Sequence, residues 1–71
     1  MTKNWYQIDW HLGNSTVSEG YEMVQATSID SALKTFFGDD YQDLTIEKQG
    51  RVAVVSCPKA TERTWTVRKA Q

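Results

Sequence analysis

The sequence predicts an α+β domain: one antiparallel sheet of about five strands, in the order β-β-α-β-β-β along the chain, with one helix packed on one face. Three observations predict it. Asn4–Leu12 alternates apolar and polar residues with period two. Only Ile29–Phe37 carries apolar residues at helical spacing. After that helix come three short runs with strand character, separated by Gln49-Gly50 and by Pro58. All 71 residues belong to one domain on this reading.

In Asn4–Leu12, Tyr6, Ile8, Trp10 and Leu12 share one face, and Trp5, Gln7, Asp9 and His11 share the other. The first set is expected to face the core. Gly13–Gly20 is a polar loop with turn residues at both ends. Tyr21–Thr27 follows as the second strand. Val24 and Ala26 are small and lead into the helix, so they are expected to point toward it, and Tyr21 and Met23 away from it.

Ile29, Ala32, Leu33, Phe36 and Phe37 form the apolar stripe of the helix. Ser28 is its expected N-cap, Asp30 suits the positive end of the helix dipole, and Gly38 can take the left-handed conformation that ends a helix. A helix of about ten residues is marginal alone in water, so the stripe must press onto the sheet.

Gly38–Asp43 reads as an acidic turn. Leu44–Gln49 alternates, with Leu44 and Ile46 inward. Arg51–Cys57 is apolar on both faces, as a covered central strand would be. Arg63–Lys69 closes the sheet with Trp65 and Val67 inward. The expected core is Tyr6, Ile8, Trp10, Val24, Ala26, Leu44, Ile46, Val52, Val54, Trp65 and Val67 against Ile29, Leu33, Phe36 and Phe37.

The net charge is −1, but it is divided. Residues 1–41 set two lysines against six carboxylates, for −4; residues 42–71 set six basic residues against three acidic ones, for +3. That polarity can orient a partner, although charges also simply occupy solvated faces. The single cysteine, Cys57, allows no intrachain disulfide and fits a reducing cytoplasm. The N-terminal residues lack the basic start and apolar run of a secretory signal, and no window is apolar enough to span a membrane.

No arrangement of residues points to catalysis or to a cofactor. His11 and Cys57 are one of each, both expected on the outer sheet face, and a metal site wants several converging ligands. Asp39, Asp40 and Asp43 lack the alternate ligands and central glycine of a calcium loop. The four glycines are isolated, so no phosphate-cradling loop exists. The chain therefore reads as non-enzymatic, with no cofactor and no metal.

The outer sheet face is more informative. If the helix covers only one side, the other carries Trp5, Tyr21, Met23, Ala53, Val55 and Cys57 among Gln7, Gln25, Thr45, Thr64, Thr66 and Arg68. An aromatic and aliphatic patch rimmed by polar groups is the signature of a protein-binding or dimer surface, unless the Gly13–Gly20 loop covers it. Trp5, Tyr21, Met23 and Val55, with Arg51 and Arg68, are the candidate partner-binding residues. A nucleic-acid surface built from Trp5, His11, Arg51 and Arg68 is the alternative. The pI of about 5.7 and the few basic residues weigh against it. A self-associating accessory subunit is a third reading.

The layout V-Q-A-T-S-I-D-S-A-L-K-T-F-F, then D-L-T-I-E-K-Q-G-R-V-A-V-V-S-C and T-W-T-V-R-K, resembles that of small phage-encoded inhibitors, anti-CRISPR proteins among them. The resemblance is one of architecture and size over most of the chain, and it carries over no functional residue. It implies a non-enzymatic protein of the host cytoplasm. Such a protein binds a bacterial CRISPR-Cas or other defence complex and blocks target recognition or nuclease action. Occlusion would act through the outer sheet face or the charged C-terminal hairpins.

Overall fold

The first strand, β1 (Asn4–Leu12), is the longest and lies inside the sheet, flanked on both sides. A computed structural model describes residues 2–70. The other strands are β2 (Gly20–Ala26), β3 (Thr45–Gln49), β4 (Val52–Ser56) and β5 (Arg63–Ala70), in the sheet order β2-β1-β5-β4-β3, every pair antiparallel. The helix α1 (Ile29–Phe37) runs directly into a 3₁₀ turn, Gly38–Asp43, where the sequence pattern indicates an acidic turn.

The helix ends as its sequence dictates. The Ser28 hydroxyl accepts the Ser31 N–H at 3.1 Å, satisfying one of the free donors of the first turn. Gly38, at φ 61°, donates its N–H to the Lys34 carbonyl. Ala32 and Leu33 are completely buried, and Phe36 and Phe37 are half-buried. Phe37 meets Trp65 of β5 edge to face, with ring centroids 5.1 Å apart, and Phe36 meets Phe37 in the same way at 4.9 Å.

Between sheet and helix lie Tyr6 and Ile8 of β1, Ala26 of β2, Ala53, Val55 and Cys57 in and after β4, and Trp65 and Val67 of β5. Trp10 is half-buried at the rim of this core. The Arg63 guanidinium lies 4.4 Å from its ring centroid. Its indole also crosses Gly20, where a Cβ would stand 2.8 Å from Nε1.

The β4 strand corrects the sequence reading. The sequence expectation is Val52 and Val54 inward; Ala53, Val55 and Cys57 are the buried residues instead. A tight turn sets this register. Gly50 (φ 64°) and Arg51 form a two-residue connection closed by the pair Gln49–Val52, with glycine at the first central position as a type II′ turn requires. Pairing with β5 then sets Ala53 beside Val67 and Val55 beside Trp65, which places the odd-numbered residues on the helix face.

Among the described residues, two ion pairs tie the surface of the fold. Lys48 reaches Asp30 at 3.4 Å, from β3 to the first turn of α1, and Lys59 reaches Asp40 at 2.7 Å. The hydrogen bond and charge of Asp40 raise the Lys59 ammonium above its ordinary value, so Lys59 keeps its charge at neutral pH and gives it up as pH rises into the alkaline range. Both pairs are exposed and contribute little to stability.

Candidate protein-binding face

Opposite α1, the sheet presents Tyr21, Met23 and Gln25 of β2, Trp5, Gln7, Asp9 and His11 of β1, Thr64, Thr66 and Arg68 of β5, and Val52 and Val54 of β4. The cross-strand pairs Trp5–Gln25, Gln7–Met23 and Asp9–Tyr21 put the first two groups on one surface. Gln7–Arg68, Asp9–Thr66 and His11–Thr64 extend it to β5, and Val52–Arg68 and Val54–Thr66 to β4. The placement of Tyr21 and Met23 away from the helix agrees with the sequence reading.

The loop 13–19 divides this face. It folds back over the end that carries His11, leaving that side chain 8% exposed. Nδ1 lies 3.0 Å from the Val17 carbonyl, which can only accept, so Nδ1 carries a proton and donates it. Nε2 lies 3.0 Å from the Thr66 hydroxyl. Thr64 donates to the Gly13 carbonyl at 2.9 Å, and the Glu19 N–H to the Trp10 carbonyl at 2.9 Å. The alternation in β1 puts this histidine at the surface; here it is the post to which the loop is tied. Cys57 is buried on the opposite face of the sheet, so the two residues cannot share a ligand. Under the loop is a cleft of about 510 Å³ whose lining mixes polar and apolar side chains, among them His11, Ser15, Val52, Val54, Thr66 and Arg68.

Losing that tie should free the loop. His11→Ala removes both bonds, and the expected result is much faster proteolysis between Asn14 and Ser18 with the sheet intact. Limited digestion followed by mass spectrometry checks this. Cleavage no faster than in wild type would show that the strand ends alone hold the loop.

The other half of the face is open. Trp5 is 48% exposed, Tyr21 63% and Met23 41%. They sit side by side at the β1–β2 edge, next to Gln7 and Gln25. Gln7 donates to Asp9 at 2.8 Å, which occupies the one carboxylate of this region. Arg68 stands exposed beside Gln7 and makes no ion pair among the described residues.

The structure separates the six candidate residues. Trp5, Tyr21 and Met23 form the exposed apolar strip. Val55 does not belong to it: it is fully buried against Trp65 and Ile46 and reaches no partner while the protein is folded. Arg51 and Arg68 come together with Lys69 around a second cleft, of about 930 Å³, which Tyr6 and Ile29 floor. Lys69 is not singled out by the sequence pattern, although the adjacent pair Arg68-Lys69 at a strand end is the available signal. Among the described residues, no helix is long and apolar enough to cross a membrane.

No protein-family model matches this chain, and neither a curated protein nor a solved structure matches it.

Proposed function

We propose that this protein is a non-catalytic binder of another protein, and that it acts as an inhibitor of a bacterial defence complex in the manner of anti-CRISPR proteins. The observation that carries the reading is the strip of Trp5, Tyr21 and Met23, exposed side by side on the half of the sheet that the loop leaves uncovered. Tryptophan, tyrosine, methionine and arginine are the residues enriched at interface centres. Arg68, beside the strip, and Arg51 and Lys69 beyond it favour a partner surface that is apolar with an acidic rim. Occlusion of the partner's own binding site is the mode of action, since a small rigid sheet can block a larger surface without chemistry.

The test is phage plating on bacteria whose CRISPR-Cas systems target that phage, over a panel of system types. Expression of the wild type is expected to restore plaques in at least one. Trp5→Ala and Met23→Ala are each expected to weaken the interaction by about 2 kcal/mol, about thirtyfold, if they are central contacts. Full restoration by both variants would remove the strip from the interface, and no restoration in any system would remove the inhibitor role.

The cleft that gathers Arg51, Arg68 and Lys69 supports a second reading, nucleic-acid binding. Titration of single-stranded DNA or RNA at low and high salt distinguishes the two, because phosphate contacts weaken steeply with salt.

A further inference from the structure

The two edges of the sheet are not alike. β3 is five residues long and presents the adjacent charges Glu47 and Lys48, the kind of edge that resists a further strand. β2 has seven residues and a single charge, Glu22. We infer that β2 is a self-association edge, on which a second copy of this chain pairs antiparallel to make one continuous sheet from both copies. The inference is independent of the inhibitor reading and does not occupy the basic cleft.

The hydrogen-bond pattern fixes which groups of β2 are free. The Gly13 N–H donates to the Glu62 carbonyl, in step with the β1–β5 register. In an antiparallel ladder the bonded pairs alternate along the strand. The odd-numbered residues of β1 therefore bond to β5, and the even-numbered ones to β2. Through the pairs Tyr6–Val24 and Ile8–Glu22, the even-numbered residues of β2 bond inward. Tyr21, Met23 and Gln25 are left with N–H and C=O directed out of the sheet. Among the described residues, no other hydrogen bond reaches these groups.

These three residues are complementary to themselves about a two-fold axis through Met23. In that register Met23 pairs with Met23 of the second copy, and Tyr21 with its Gln25, so each outward donor meets an acceptor. Glu22 then faces Val24 of the second copy. A register centred on Glu22 would instead oppose two carboxylates. With a net charge of −1 there is little overall repulsion to overcome. The exposed Tyr21 and Met23 of both copies, with Trp5 beside Gln25, then merge into one apolar band across the junction.

Sedimentation velocity over a concentration series tests the inference. The weight-average mass is expected to rise from 8.1 kDa toward twice that value. Met23→Pro removes an N–H that bonds nothing within the monomer, so it is expected to hold the mass at 8.1 kDa while circular dichroism shows a folded protein. Met23→Lys, at an exposed side chain, sets two like charges against each other across the axis and is expected to do the same; it decides the matter if the proline variant does not fold. A wild type that stays monomeric at every concentration, or a dimer that survives in the folded variants, overturns the inference.

Discussion

Replacing Val55 by lysine is expected to unfold the protein, and the same replacement at Val54 is expected to leave it folded. The two valines are neighbours in one strand, but Val55 is fully buried under α1 beside Trp65 and Ile46. The introduced ammonium would have no partner there, because the groups around it are apolar, and burying an unpaired charge costs several kcal/mol even after relaxation. A domain of this size has only about 5–15 kcal/mol to lose. Val54 is half-buried on the opposite face, across from Glu47, and a lysine there can run its methylenes over the sheet and keep its charge in water. Urea denaturation of both variants, followed by tryptophan fluorescence, checks the contrast. Equal loss in the two would mean that β4 does not hold the observed register.

Leu33→Ala is expected to be the most damaging truncation in the helix. Leu33 is completely buried at the centre of the apolar stripe. Removing the end of a leucine from a packed core costs about 2–5 kcal/mol, the value depending on how far the neighbours collapse into the space. In a domain this small, each kcal/mol lowers the Tm by about 4–8 °C. Lys34→Ala, one residue along and exposed, loses only its contact with the Tyr41 ring and should melt close to wild type. Calorimetry of the pair is the measurement. A Leu33→Ala protein that melts with the wild type would show that α1 does not carry the core.

Most of the architecture was legible because β1, β2 and α1 each have contrasting faces. In β1 the alternation of Tyr6 and Ile8 with Gln7 and Asp9 permits only one register against a buried core. In β2 the small Val24 and Ala26 lead into α1, and that fixed Tyr21 and Met23 as outward. β4 has no such contrast: V-A-V-V-S offers apolar residues to both sides, and its register comes from the turn at Gly50 and from Val67 and Trp65 across the ladder. For that reason the exposure of Trp5, Tyr21 and Met23 could be read from the sequence, and the burial of Val55 could not. The burial of His11 was hidden for another reason. It depends on where a loop of serine, threonine and asparagine lies, and that loop is held by a side chain rather than by an apolar pattern.

The position of β5 has a consequence for how the molecule folds. β1 with β2, and β3 with β4, are each local hairpins, and the two share no ladder with one another. A two-stranded hairpin is at best marginal in water. Both are stabilised when β5 enters between them, pairing Arg63 with Leu12 at one end and Ala70 with Trp5 at the other. The β4–β5 ladder is local, but the β1–β5 ladder joins the two ends of the chain; that long loop must close before the aromatic core is buried, so its entropic cost comes early and the return late. Half of this sheet is therefore not a smaller stable protein. Withdrawal of β5 uncovers Trp65 and Val67, and with them the neighbours on both sides. For this strand, local opening and global unfolding are the same event.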